Sequence, residues 1–320
     1  MFFSRQGVYP AGFFIVFELE KQQNSCILLY KCVPRSSFFM EYKSLKCNLL
    51  FYLSRIVPSK DFKMLCKQYL KSCEAVPEMS KSAWKCIIAN YKLRKKNRDK
   101  FKIVSLGWGC MPRTLLTLWM LKPSKGVGEK GMPFDLTATP PHASAHFLEN
   151  DFADYFDGEW TYDYDHKRWK NAEWTGAFYP HDGDCEPNAE GLEKLKKRMA
   201  GRINNFREAM AFPGPVLFVM HKATLDELRP VDHKAEDIER LCRKIAELRG
   251  DKPFKVLVIA CDHNDDCEKI AGAELVKLRY PHAEYIWHLA ERFTPAGVKF
   301  EIDFMDICRN ALSDLIKAQK

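Results

Sequence analysis

Two short runs, Val216–Met220 (VLFVM) and Phe254–Ala260 (FKVLVIA), are apolar at nearly every position. A strand with one wet face alternates apolar and polar residues, so a strand with no alternation needs cover on both faces. Between the two runs, Ile238, Leu241, Ile245 and Leu248 recur at helical spacing over residues 235–248. Strand, helix, strand is the pattern of a parallel sheet with right-handed crossovers. The pattern extends backward to a strand over 101–106 (FKIVSL) and to helices over 112–121, 143–156 and 189–212. The last of these carries the stripe Leu192, Leu195, Met199, Ile203, Phe206, Met210. It extends forward to a weaker strand over 284–288 and a closing helix over 304–318. The expected fold class is therefore α/β, a three-layer, mostly parallel sheet with helices on both faces.

With 320 residues, 46% of them hydrophobic, the chain can bury a sizeable core. No run of 18 apolar residues exists, so no transmembrane helix is expected. The stretch Val8–Phe17 is too short to span a membrane and runs directly into Glu18 and Glu20. It lacks the basic start and small-residue cleavage site of a signal peptide. The 12 cysteines are scattered without a C-x-x-C pair, and no N-x-S/T acceptor is present. Thiols in a reducing compartment fit this usage, and the expected location is cytoplasmic.

The net charge of +8 is unevenly spread. Residues 1–100 hold 19 Lys and Arg against 7 Asp and Glu, and residues 101–320 hold 31 against 35. Two parts are expected: a basic, helical N-terminal extension over 1–100 and an α/β domain over 101–320. Residues 1–39 have no sustained period and read as an upstream extension, with Met40 as an alternative start. Helices are expected over 40–57, 61–69 and 82–93. The basic run Lys92–Arg98 reads as a solvated linker, with contact to an anionic membrane surface as the sharper reading. No aromatic interleaving or named motif points to nucleic acid.

Ligands of open parallel sheets sit beyond the carboxyl ends of the strands. That rule selects Ser105–Pro112 (SLGWGCMP), His221, and Asp262–His263. Cys110 is the sharpest candidate. Gly107 and Gly109 permit a tight turn, and Pro112 suits the first turn of a helix. A thiol at a helix N-terminus is expected to have a lowered pKa, and the N–H groups there, near Met111, can hold an oxyanion. His181, in the irregular segment 157–188, is the best-placed base by context, and Asp135 is a candidate to orient a histidine. His142 and His146 lie four residues apart on one expected helix, a weak metal-ligand spacing.

The string IVSLGWGCMPRTLL, followed by MPFDL, FLENDFADYF and FYPHD, resembles a bacterial family of unknown function described as papain-like cysteine peptidases. Its members show a strand ending in S-L-G-x-x-C, then P-F-D-W, an acidic-aromatic helix, and an aromatic-led H or H-H-D. The helix with Arg198, Arg202 and Phe206 and the strand 216–219 continue the likeness, which covers about residues 101–220. The resemblance implies Cys110 as nucleophile, His181 as base and Asp135 as third member. Trp108, Gly109, Met111 and Asp182 would then lie on the substrate side. It implies a peptide or other acyl or amide substrate, glycan-linked in one variant, with no metal and no cofactor. The family tryptophan is Leu136 here, and the doubled histidine is His181 followed by Asp182. A papain-like α+β core is the alternative fold.

Two rival functions follow from other residues. Trp108, Trp160, Trp169 and Trp174 could line a glycan-binding site without catalysis. The loops His181–Cys185 and His263–Cys267, both of the form H-x-x-D-C, could serve a metal-dependent hydrolase.

Overall fold

The computed structural model describes residues 7–9, 13–22, 25–32, 63, 66, 76–174, 178–179, 182, 184–223, 233–287 and 290–319. The chain divides into two compact units, Met1–Tyr42 and Lys43–Lys320.

The described residues of the first unit lie in strands. β1 (Gly7–Tyr9), β2 (Phe13–Gln22) and β3 (Ser25–Cys32) form an antiparallel sheet in that order, with Gln22 paired to Ser25. These strands fall within residues 1–39, where no sustained period was read, and the helix expected over 82–93 is present at Ser80–Lys96. From Ile15 the sequence alternates (Ile15, Phe17, Leu19 against Glu18, Glu20), and period two favours a strand. The helices expected over 40–57 and 61–69 lie outside the described residues, apart from Lys63 and Cys66.

The second unit begins, among its described elements, with α1 (Ser80–Lys96). β4 (Lys102–Ser105), α2 (Met111–Leu118) and α3 (Pro141–Glu149) follow. Then come β5 (Trp160–Asp163), β6 (Arg168–Asn171) and β7 (Phe178–Tyr179), a small antiparallel sheet inside the stretch read as irregular. α4 (Ala189–Ala211), β8 (Val216–Lys222), α5 (Ala235–Arg249), β9 (Phe254–Ala260), β10 (Glu274–Lys277) and α6 (Pro295–Lys317) complete it.

β4, β8, β9 and β10 form one four-stranded sheet in the order β10-β9-β8-β4, parallel throughout. Val104, Val216, Phe218, Met220, Val256 and Val258 enter one apolar cluster with Phe147 of α3, Phe206 of α4 and Leu241 of α5. The alternate residues Ile103, Leu217, Val219, Leu257 and Ile259 are equally buried and point the other way. α6 packs on β8 and β9. Burial on both faces is why these strands carry no alternation.

Three expectations are corrected. The charge step at residue 100 is not where the fold divides, because α1 is built into the second unit. Its Cys86 and Ile87 are buried, Asn90 donates to the Trp119 carbonyl at 2.9 Å, and Arg309 of α6 donates to Asn90 Oδ1 at 3.1 Å. The fourth strand is Glu274–Lys277, not 284–288. Glu274 and Lys277 are exposed at the sheet edge, so this strand lacks the apolar run that marks its neighbours. The helix expected over 143–156 stops at Glu149, since Asp151 and Phe152 take positive φ. No helix among the described residues is long and apolar enough to cross a membrane.

Candidate functional site

β4 ends at Ser105, and the Leu106 N–H still donates to the Val219 carbonyl at 3.0 Å. The next turn is left-handed at three successive residues, with φ of +88° at Gly107, +45° at Trp108 and +90° at Gly109. Glycine adopts this conformation freely, and a Cβ at Gly107 would sit 3.1 Å from the Thr139 carbonyl oxygen. Trp108 adopts it against its preference and is fully buried. Its backbone N–H donates to the Thr139 carbonyl at 3.1 Å, and its indole Nε1–H donates to the Ala223 carbonyl at 2.9 Å. The tryptophan thus pins the turn to β8. This corrects its expected place on the substrate side: Trp108 is a core residue that shapes the turn.

Cys110 is the N-cap of α2, with no side chain capping the first helical N–H groups. Met111, also expected to face substrate, has a fully buried side chain. Cys110 and Cys267 are partly exposed, whereas Cys66, Cys86, Cys185, Cys242, Cys261 and Cys308 are buried. The expected lowering of the Cys110 pKa is corrected: burial pushes the thiol up, and hydrogen bonds from its own backbone and the Thr114 side chain only partly offset this. Desolvation outweighs the helix terminus here.

His181 lies outside the described residues, so its separation from Cys110 does too. Two described residues near it in sequence, Tyr179 and Asp182, have identified partners. Tyr179 is buried and donates to the Tyr155 hydroxyl at 3.3 Å. Asp182 is buried between two arginines of α4, accepting from Arg198 at 2.6 Å and from Arg202 at 2.9 and 3.2 Å. The arginines matched by the resemblance therefore grip the carboxylate next to His181. With both oxygens so occupied, Asp182 anchors the loop.

Asp135 is also committed. Its carboxylate accepts from the Met132 N–H at 2.9 Å and from Lys122 at 3.3 Å, and pairs with Arg113 of α2 at 3.3 Å. This buried cluster ties the Pro133–Phe134–Asp135 turn to the helix that begins at Cys110. Burial lowers the pKa of Lys122, while Asp135 acts in the opposite direction.

Two histidines that the sequence left without a role flank Trp108. His221, at the end of β8, is fully buried, and its Nε2 lies 2.6 Å from the Tyr280 hydroxyl. His233 stands edge-on to the Trp108 ring, with centroids 5.1 Å apart. Burial pushes the His221 pKa down to about 4 and the His233 pKa down to about 3, so both are neutral at pH 7. His221 ends a strand and is among the residues that the strand-end rule selected, without a role. His233 carries no local signal.

Among the described residues, the rival sites are not assembled. Trp169 is buried with its Nε1 on the Cys185 carbonyl at 3.1 Å, Trp160 stacks on Tyr179, and Trp174 packs against His146 and Phe147. With Trp108 in the core as well, the four indoles do not form one sugar platform. In the 263–267 loop, Asp265 takes Lys222 at 2.6 Å and the Cys267 N–H at 3.0 Å. Among the described residues, no group of three His, Cys, Asp or Glu is placed to hold a metal. No protein-family model, curated protein or solved structure matches the chain.

Proposed function

We propose that the chain is a cysteine-dependent acyl-transfer enzyme, a hydrolase of peptide or other amide or ester bonds, with Cys110 as nucleophile. The observation that carries this reading is the turn itself. Three consecutive left-handed residues, one of them a buried tryptophan, end a parallel strand and set Cys110 at an uncapped helix start. Backbone strain of this kind concentrates at functional sites, and a strained strand-to-helix turn is a known way to present a nucleophile.

In this reading the Cys110 Sγ attacks the acyl carbon while its proton passes to His181. The tetrahedral oxyanion rests on N–H groups at the start of α2. The leaving amine or alcohol takes the proton from His181, and water then cleaves the thioester. Because burial disfavours the thiolate, the thiol stays protonated until a base accepts its proton. In the family the chain resembles, a histidine matched here by His181 supplies that base. We place this chemistry on a three-layer α/β fold rather than a papain core, because the sheet that carries Cys110 is parallel throughout.

The test is covalent capture by an acyl-mimicking electrophile, such as a peptide vinyl sulfone, on the full chain. We expect one adduct, on Cys110, lost in Cys110→Ala and slowed at least about tenfold in His181→Ala. An adduct rate unchanged in His181→Ala would remove the base from the reading. Labelling spread over several cysteines would remove the nucleophile.

A further inference from the structure

The basic run that ends α1 does not project into solvent as a bare linker. It forms part of the wall of a cleft of about 660 Å³. The cleft lies at the amino end of β4, whereas Cys110 follows the carboxyl end. Its volume falls in the usual range for small-molecule sites.

Six cations line this cleft: Arg94, Lys95, Arg98, Lys102, Lys122 and Lys130. Three carboxylates accompany them, and each is already matched to a cation of the same wall. Lys130 meets Glu208 at 2.5 Å, Lys122 meets Glu129 at 3.5 Å, and Arg98 meets Asp99 at 3.6 Å. Among the described residues, Lys95 and Lys102 meet no carboxylate of this wall. A helix C-terminus attracts lysines and arginines, which accounts for basic residues in the last turn of α1. It does not account for Lys102 at the start of β4, or for Lys122 and Lys130 in the segment after α2. Three separate parts of the chain converge their cations on one concavity. Aromatic rings share the wall. Arg94 lies over Tyr91 at 5.3 Å and Lys102 over Phe212 at 5.1 Å, with Phe101 between their segments in sequence.

We propose that this cleft binds a small ligand bearing a diphosphate and a planar ring, of the size and chemistry of a nucleotide. Lys95 and Lys102 take the phosphate oxygens, and Tyr91, Phe101 and Phe212 supply apolar and stacking surface for the ring. Lys95 and Lys102 are the cations best suited to test this, being at least partly exposed and engaged by no carboxylate of the cleft wall. The inference is independent of the reading of Cys110.

Calorimetric titration of the full chain with ATP, inorganic pyrophosphate and adenosine tests it. Saturable binding of ATP and pyrophosphate is expected, with ATP tighter by about tenfold and adenosine silent. Lys95→Ala/Lys102→Ala should weaken both ligands by about tenfold or more. Lys96→Ala/Lys100→Ala removes the same charge from exposed residues outside the cleft and should change affinity by less than about twofold. Absence of saturable binding at millimolar ligand overturns the proposal, as does an equal loss in both double variants. Equal affinity for pyrophosphate and ATP overturns the part played by the ring. Binding to anionic vesicles without binding to ATP overturns the proposal and assigns the charge to a lipid surface.

Discussion

The indole N–H of Trp108 donates to the carbonyl of Ala223 at 2.9 Å, joining the turn before Cys110 to the end of β8. This one bond, made by a buried residue with positive φ, couples the geometry of the turn to the neighbouring strand. Trp108→Phe keeps most of the apolar volume but leaves the Ala223 carbonyl without its donor. Urea unfolding should show a loss of about 1–3 kcal/mol. A change below about 0.5 kcal/mol would mean that the bond does not hold the turn.

Cys110 should react slowly with iodoacetamide at pH 7 and progressively faster as pH rises, because its thiol is held above the ordinary cysteine range. It should still outpace Cys242, which is buried on α5 with its pKa pushed up to about 12. Thr114→Val removes a hydrogen bond that favours the thiolate, so labelling of Cys110 at fixed pH should slow further. Peptide mapping by mass spectrometry ranks the sites; faster labelling in Thr114→Val would contradict the stated cause.

Removing the Asp182 carboxylate leaves Arg202 buried without its partner. Asp182→Ala should destabilise the protein by about 3–5 kcal/mol, since a stranded buried charge is costly. Asp184, by contrast, is exposed and shares Arg198, so Asp184→Ala should leave stability nearly unchanged. Equal effects at the two positions would show that the Asp182 clamp is no stronger than a surface pair.

Arg249 closes the end of α4. From α5 its guanidinium reaches the carbonyls of Met210, Phe212, Gly214 and Pro253 at 2.6 to 2.9 Å. A lysine has neither the fork nor enough donors in fixed directions to replace it. Arg249→Lys is expected to cost at least about 2 kcal/mol, and Arg249→Ala more. Thermal melts of the two variants read this directly, and a lysine variant as stable as wild type would refute it.

His221 links stability to pH. Its pKa falls from 6.5 to about 4 on folding, so below pH 6.5 the unfolded chain binds the proton more readily than the folded one. The contribution is present in full above 6.5 and is lost progressively as pH drops toward 4. His233, pushed down to about 3, adds to the same trend. Melting temperature should fall across this window, and the fall should be shallower in His221→Gln; an unchanged slope would place the effect elsewhere.

The parallel sheet was legible because its strands are buried on both faces, and such burial writes continuous apolar runs such as VLFVM and FKVLVIA. β10 was not legible, because an edge strand with exposed Glu274 and Lys277 carries no such run. The turn at Cys110 was legible through Gly107 and Gly109, whose spacing announces unusual dihedrals. His233 was not, since its contact with the Trp108 ring joins positions far apart in sequence and arises only through the fold.

The sequence by itself determined the buried strands β4, β8 and β9 with the helices between them, their parallel arrangement, and the place of Cys110 between a strand and a helix, because periodicity and turn chemistry are local. Tertiary structure decided the rest. It tied Asp135 to Arg113 and Lys122, and Asp182 to Arg198 and Arg202. It raised the Cys110 pKa by desolvation, and it folded the basic end of α1 into the wall of a cleft. Each of these depends on which distant groups share a low-dielectric space, and sequence spacing carries no record of that.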